Sequence, residues 1–124
     1  MLNEQSENLI LEKSYSFSLM IIELYKFLIT QKKEFVLSKQ LLKCGTSIGA
    51  NVNEAQAAVS KKDFIAKMSI ASKEARETLY WLRLLRDSQF IDPEKEKVKQ
   101  LFKEIESIVN ITTKIVKSGQ SNEK

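Results

Sequence analysis

The chain has 124 residues, of which 43% are apolar, and its 20 basic and 16 acidic side chains leave a net charge of +4. This length is typical of a single domain, and the apolar fraction is too high for a disordered chain. Three glycines and one proline are too few for the many turns of a β fold. We therefore predict one domain over residues 1–124, built from long helices joined by short loops.

The cysteine content and the apolar segments bear on the compartment. Cys44 is the only cysteine, which excludes an internal disulfide and fits a reducing environment. The N-terminal segment is acidic and does not resemble a signal peptide. The most apolar stretch, residues 15–29, contains Glu23 and Lys26 and is too polar to span a bilayer. We expect a cytoplasmic protein with no membrane partner.

The first predicted helix covers residues 9–32 and is apolar around most of its circumference. Tyr15, Leu19, Ile22 and Ile29 form one stripe. The rest of the circumference carries Phe17, Met20, Ile21, Leu24, Phe27 and Leu28. A helix of this kind must be buried on more than one side, whereas each helix of a four-helix monomer has one side in water. The pattern predicts a partner chain.

The second predicted helix covers residues 38–58, with Ser38 as its N-cap. Gly45 and Gly49 are one turn apart, on or beside the apolar seam of the helix, the line of residues that faces the core. Because glycine is unfavourable inside a helix, its repeated use predicts a close approach by a neighbouring helix; a kink is the alternative. Its seam runs through Leu41, Gly45, Ile48, Val52, Ala55 and Val59.

A polar ridge follows the same helix at steps of four and three residues, formed by Ser47, Asn51 and Glu54. We interpret it as a structural ridge whose side chains bond across to another helix and fix the register between helices. Ligand binding is the alternative interpretation.

The third and fourth predicted helices cover residues 61–87 and 93–117. Ser60 and Asp63 form a capping box for the third helix. Asp92 followed by Pro93 predicts the start of the fourth, and Gly119 its end, with a polar tail over residues 118–124. Short connections force consecutive helices to run antiparallel. The predicted fold is all-α: an antiparallel up-down-up-down four-helix bundle, assembled into a homo-oligomer.

Residue types that support catalysis are scarce. The chain has no histidine, the commonest general base and metal ligand, and a single cysteine cannot form a structural zinc site. Glu74 and Glu77 alternate with Lys73 and Arg76, as expected of a solvated pair. We predict no enzyme activity, no metal and no cofactor.

The third helix carries a narrow apolar stripe outside its seam, made of Ile70, Trp81 and Leu84. Tryptophan is enriched at subunit interfaces, and the first helix also predicts a partner chain. We interpret the stripe as a subunit interface. The alternative is that Trp81 covers the edge of its own bundle.

The same helix carries a basic row. Its members are Lys61, Lys62, Lys73, Arg76, Tyr80, Arg83 and Arg86. Cations with an interleaved aromatic side chain suit a phosphate backbone with occasional base stacking, which predicts nucleic-acid binding. The alternative is a solvated face, in which Lys73–Glu77 and Arg83–Asp87 pairs neutralise two of the cations.

Residues 41–55, 62–78 and 80–85 resemble the bacterial four helix bundle protein family. Members of that family were first noticed as products of intervening sequences in large-subunit ribosomal RNA genes. The resemblance implies a ring-like homopentamer of four-helix protomers without catalytic residues. The superfamily also includes the accessory variability determinant of diversity-generating retroelements, a basic pentamer that binds nucleic acid and works with a reverse transcriptase.

These observations favour a non-enzymatic, oligomeric protein that binds RNA or DNA through the basic row. A protein-interaction adaptor is the alternative, in which the same surface docks an acidic partner such as a reverse transcriptase or an RNA-processing factor. A small-molecule hydrolase or metal enzyme is a third hypothesis, with little in the sequence to favour it.

Overall fold

Four helices account for most of the chain. The computed structural model describes the backbone of residues 4–122 and the side chains of residues 8–120. The helices are α1 (Glu4–Thr30), α2 (Leu37–Ala55), α3 (Lys61–Asp87) and α4 (Glu96–Asn122). Residues 123 and 124, the end of the predicted tail, lie outside the described residues. Within the described part of the chain, no helix has both the length and the hydropathy to cross a bilayer.

Consecutive helices pack side by side, α1 on α2, α2 on α3 and α3 on α4, and α4 closes the bundle against α1 through the least extensive of the four contacts. Because the connections between them are short, the helices alternate in direction. The predicted all-α four-helix bundle is confirmed.

Each helix contributes one buried side chain per turn to a common core. In α1 these are Ile10, Ser14, Phe17, Ile21, Leu24 and Leu28. The predicted seam of α2 is buried from Leu41 to Ala55, but Val59 lies beyond the end of the helix and is exposed. The seam of α3 is buried from Phe64 to Leu85, as its spacing predicts.

The two glycines of α2 lie where α1 crosses closest. A Cβ atom on Gly45 would stand 2.9 Å from Cγ1 of Ile21, and one on Gly49 would stand 3.3 Å from the backbone oxygen of Ser14. Neither position has free space for a larger side chain. The predicted close approach of a neighbouring helix is confirmed, and that helix is α1.

The start of α2 differs from the prediction. Ser38 is not the N-cap: Val36 holds that position and provides no side-chain cap. The Glu34 carboxylate instead accepts hydrogen bonds from the backbone N–H groups of Val36 (3.1 Å), Leu37 (3.0 Å) and Ser38 (2.7 Å). One anion satisfies three otherwise unpaired donors and opposes the positive end of the helix dipole, which a serine hydroxyl cannot match. Ser38 is left to donate its hydroxyl to the Glu34 carbonyl.

The boundaries of α3 agree with the prediction. Of the two hydrogen bonds of the predicted capping box, one is formed and the other has a different donor. Ser60 Oγ accepts a hydrogen bond from the Asp63 N–H at 3.0 Å, as in a capping box. The Asp63 carboxylate accepts from the N–H of Val59, at 3.2 Å, rather than from that of Ser60. The carboxylate therefore extends the cap one residue further into the loop.

Five other ends were predicted wrongly, two of them in α1, which covers Glu4–Thr30 rather than residues 9–32. Asp92 accepts a hydrogen bond from the Glu94 N–H within a turn, so Asp92 and Pro93 form a loop and α4 begins at Glu96. Gly119 does not end α4, which continues to Asn122. The glycine is buried, and a Cβ atom there would stand 2.7 Å from Cγ1 of Ile65, so it permits close packing rather than marking a helix end. The second helix ends at Ala55 rather than at residue 58.

Candidate nucleic-acid interface

The basic row lies along α3 and is largely open to solvent. Lys62, Lys73, Arg76 and Arg83 are exposed, while Lys61 and Arg86 are half-buried. Tyr80, between Arg76 and Arg83, has 55% of its surface exposed. The helix therefore displays cations and one aromatic ring on a continuous surface.

Neither of the pairs that would neutralise the row is formed. Glu77 accepts a hydrogen bond from Nε1 of Trp81 at 3.2 Å, and Asp87 binds Nε of Arg86 at 2.8 Å. Among residues 8–120, the salt bridges involve neither Lys61 nor Lys62, Lys73, Arg76 or Arg83. Five of the six cations in the row thus keep their charge without an ion-pair partner in the described protomer.

Arg86 differs from the other members of the row. Its guanidinium binds both carboxylate oxygens of Asp87 and stacks over the Phe102 ring, 5.1 Å from the centroid. The hydrogen bond from Arg86 lowers the pKa of the Asp87 carboxyl, and the same bond raises the pKa of Arg86. Arg86 is held against its own protomer, with its charge balanced.

Beside the row, α3 and α4 form an open groove of about 350 Å³, named here the α3–α4 groove. Nη2 of Arg76 donates a hydrogen bond to Oγ1 of Thr113 across it, at 2.7 Å. The lining consists of Ser69, Ser72, Lys73, Arg76, Thr113, Val116, Lys117 and Gln120. It holds three cations, three hydroxyls and no carboxylate.

Thr113 and Lys117 were not among the sequence-predicted site residues. Both lie on α4, in a segment with no basic run of its own, and only the register of α4 against α3 brings them to Arg76. The signal available in the sequence was their spacing of four residues, which puts both on one face of a helix.

The predicted apolar stripe divides into two environments. Trp81 is half-buried and packs against the core, with Nε1 bonded to Glu77 and its ring in an edge contact with Tyr80, 5.4 Å between centroids. Leu84 is also half-buried, whereas Ile70 is 43% exposed. Trp81 therefore covers the edge of its own bundle, and the stripe as a subunit interface stays a prediction.

The polar ridge of α2 reaches another helix at one point only. Glu54 forms a salt bridge of 3.0 Å with Lys67 of α3. Ser47 Oγ donates to the Lys43 carbonyl (2.7 Å), and Asn51 Nδ2 donates to the Ser47 carbonyl (2.9 Å). In this protomer Glu54 contacts α3, while the other two side chains bond to their own helix, and a register-fixing role of the ridge stays a prediction.

The outer side of α1 leaves large apolar side chains without cover in the protomer. They are Leu9, Tyr15, Leu19 and Phe27. Phe27 also lines a groove of about 1070 Å³ between the C-terminal half of α1 and the N-terminal half of α4, together with Met20, Leu24, Phe90 and Leu101. On α1 these side chains lie among the exposed Glu12, Glu23 and Lys26. Exposed apolar surface with a charged border commonly marks a contact with another molecule.

The thiol of Cys44 is far from these surfaces. The side chain is buried in the core face of α2, and burial raises its pKa to about 11. Sγ donates to the Leu41 carbonyl at 3.6 Å. At neutral pH the thiol is protonated, and the thiol form is a poor nucleophile and metal ligand.

The fold and the α3 surface define a class: a small four-helix-bundle protein with a basic row along one helix, in which five of six cations have no ion-pair partner among the described residues. A family model for the 23S rRNA-intervening sequence protein matches residues 6–114. The chain belongs to this family, and the membership predicted from the sequence is confirmed.

A crystal structure at 1.70 Å resolution provides a similar fold. It is of a protein with unknown function from the S23 ribosomal protein family, from Bacteroides thetaiotaomicron VPI-5482. The two sequences are 45% identical, the match covers 90% of this chain and 98% of that chain, and the TM-score is 0.84. No curated protein matches the chain.

Proposed function

We propose that this protein is a non-enzymatic, oligomeric, cytoplasmic protein that binds RNA or DNA through the basic row of α3. The observation that carries the proposal is the set of exposed cations, Lys62, Lys73, Arg76 and Arg83, that have no ion-pair partner among the described residues. From Lys62 to Arg83 the helix rises about 30 Å, long enough to follow several successive phosphates.

A nucleic acid suits this surface because its phosphates repeat along a line, as the cations of the basic row do. Each phosphate neutralised by a lysine or arginine releases condensed counterions, so affinity increases with the number of contacts and falls steeply with salt. In an oligomer the row is repeated once per protomer, which multiplies the contacts available to one long nucleic acid. The family name refers to an intervening sequence of 23S rRNA and does not state what its members bind. The choice of nucleic acid as the ligand therefore depends on the cations.

The test compares two double variants that change the net charge equally. Arg76→Glu with Arg83→Glu reverses the centre of the row, whereas Lys33→Glu with Lys39→Glu reverses two exposed cations, one in the loop before α2 and one on α2. Fluorescence anisotropy with RNA and with DNA, at about 50 and 200 mM salt, should show that only the first variant loses binding. Thermal melting by circular dichroism should show both folded. A wild-type protein that binds neither ligand at the lower salt concentration contradicts the proposal.

A protein adaptor is the second candidate, since Ile70 is exposed on the same helix as the cations and a phosphate backbone would not use it. An acidic protein partner, such as a reverse transcriptase or an RNA-processing factor, would use both the charge and the apolar side chain. Recovery of one partner protein after nuclease treatment, lost in the variant with Arg76→Glu and Arg83→Glu, supports the adaptor over the nucleic-acid binder.

A further inference from the structure

We infer that the α3–α4 groove is a phosphate clamp for single-stranded nucleic acid, in which Lys73, Arg76 and Lys117 hold one phosphate and Tyr80 stacks on a neighbouring base. This rests on the proposed function and deepens it, because it names the kind of nucleic acid and adds a second helix to the site.

The clamp is organised before any ligand arrives. Thr113 Oγ1 accepts a hydrogen bond of 2.7 Å from Nη2 of Arg76, which holds the guanidinium against the wall of the groove. A guanidinium has five N–H donors, so the others stay available for phosphate oxygens. Because the side chain is already held, less rotamer entropy is lost on binding.

The lining has the chemistry of an oxyanion site. Lys73 and Arg76 reach it from α3 and Lys117 from α4, and the hydroxyls of Ser69, Ser72 and Thr113 lie between them. Lysine, arginine and hydroxyl groups are the usual side-chain partners of phosphate oxygens. No carboxylate lines the groove, so a phosphate there meets no repulsion from its walls.

Tyr80 selects the single strand. It lies four residues after Arg76, about 6 Å further along the axis of α3, and 55% of it is exposed. Its edge contact with Trp81, which is itself bonded to Glu77, limits the orientations of the ring. Bases inside a duplex are stacked on one another and have no free face, whereas unpaired bases stack readily on exposed aromatic rings.

Three variants test the clamp, each with a matched control. Thr113→Val removes the hydroxyl that holds Arg76 without changing charge, and Thr113→Ser restores it; Thr46→Val is its control, since Thr46 Oγ1 bonds to its own helix at Leu42. Lys117→Gln removes one cation of the groove, and Lys99→Gln removes an exposed one five turns away on the same face of α4. Tyr80→Ala removes the ring, whereas Tyr80→Phe keeps it.

The readout is anisotropy with an oligonucleotide of about 16 nucleotides and with its duplex. We expect Thr113→Val and Lys117→Gln each to weaken single-strand binding about tenfold. Lys117→Gln should also reduce the slope of log affinity against log salt by about 0.7, and Thr113→Val should leave that slope unchanged. Tyr80→Ala should weaken single-strand binding about tenfold and spare duplex binding. Thr113→Ser, Tyr80→Phe and the two distant controls should bind as the wild type does, with equal thermal melting.

The clamp and the proposed function can fail separately. If the clamp variants match their controls while Arg76→Glu with Arg83→Glu still abolishes binding, the clamp is wrong and the nucleic-acid function stands. Equal wild-type affinity for single strand and duplex also overturns the clamp. If inorganic tripolyphosphate displaces the oligonucleotide as effectively, per phosphate, as unlabelled oligonucleotide does, the groove binds free polyphosphate instead. A wild-type protein that binds neither nucleic acid overturns both proposals.

Discussion

Cys44 illustrates how one side chain takes its properties from its neighbours. In the sequence it is a lone cysteine that fits a reducing compartment, and the structure buries it in the core with its pKa raised to about 11 from an ordinary value of 9.0. Burial disfavours the thiolate, so the folded protein holds the proton more tightly than the unfolded chain does. The free energy of unfolding should therefore decrease as the pH rises through the alkaline range.

We predict that Cys44→Ala reduces the loss of stability above pH 9. The unfolded thiol ionises near its ordinary pKa while the folded thiol stays protonated up to about 11, so the unfolded state gains up to about 1.4 kcal/mol by pH 10. Denaturant unfolding at pH 7 and at pH 10 should show this extra loss in the wild type only. An equal loss in both proteins would mean that Cys44 ionises as readily in the fold as outside it.

At the scale of one residue, the sequence identified the members of the basic row but not their pairing. Arg83 and Arg86 are equivalent in the sequence, yet Asp87 binds Arg86, and Phe102 supports it from α4. Trp81 similarly has two interpretations in the sequence, and Glu77 and the core fix its position. These outcomes depend on distances of a few ångströms between side chains, which a helical periodicity does not specify.

Helix ends are decided by competition among nearby polar groups. Glu34 lies before α2, and its carboxylate accepts bonds from three backbone N–H groups. Partial burial alone would raise the pKa of Glu34, but the bonds from Leu37, Ser38 and Val36 outweigh it and lower the pKa below its ordinary 4.5. The stabilisation is therefore present above the unfolded pKa and is lost as the pH falls through the folded one.

Glu34→Gln should destabilise the protein by about 1 kcal/mol at pH 7, because an amide oxygen replaces the anionic cap. The difference from the wild type should shrink as the pH falls below the ordinary pKa of 4.5 and through the lowered pKa of the folded state, where Glu34 itself becomes protonated. Denaturant unfolding over this pH range measures both effects, with Glu12→Gln, at an exposed position of α1, as the control. A difference that does not change with pH would show that the carboxylate charge does not stabilise α2.

The body of each helix was easier to predict than its ends. The steps of four and three residues in α2 and α3 report which side faces the core, and burial follows them from Leu41 to Ala55 and from Phe64 to Leu85. The signals at Ser38, Asp92 and Gly119 are local preferences worth about 1 kcal/mol each. At Ser38 the Glu34 carboxylate provides the cap instead, and at Asp92 a turn forms in place of a helix start. At Gly119 the helix continues, and the glycine is needed for the close contact with Ile65.

For the whole molecule, the outer side of α1 is the feature that the protomer leaves unexplained. Tyr15 is 67% exposed and Leu19 51%, on a helix whose opposite side is fully buried. Covering this surface with another protomer would remove apolar area from water, the main driving force of association. We propose that another copy of the chain covers this surface; the family resemblance of the sequence predicts a pentamer, and the assembly has to be measured.

We predict that Leu19→Glu dissociates the assembly, because it places a charge in the centre of this apolar surface. Light scattering at micromolar concentration should give a multiple of the 14.3 kDa protomer mass for the wild type, five times that mass if the ring is a pentamer. The variant should approach the protomer mass with unchanged helicity. Gln40→Glu, at an exposed position of α2, is the control and should keep the wild-type mass. A wild-type monomer would contradict the prediction.

The sequence by itself determined the four helices, the sides of α2 and α3 that face the core, the close approach at Gly45 and the cations of α3. All of these follow from spacing within one helix, where a fixed rotation per residue converts sequence into position. The sequence did not determine the core side of α1, where the stripe that contains Tyr15 and Leu19 lies on the exposed side. Only the tertiary structure decided that Thr113 and Lys117 lie beside Arg76, that Arg86 is paired and that Gly119 lies within α4. Each of these depends on the register between antiparallel helices, which is set by the length of the loops and by side-chain packing rather than by any local pattern.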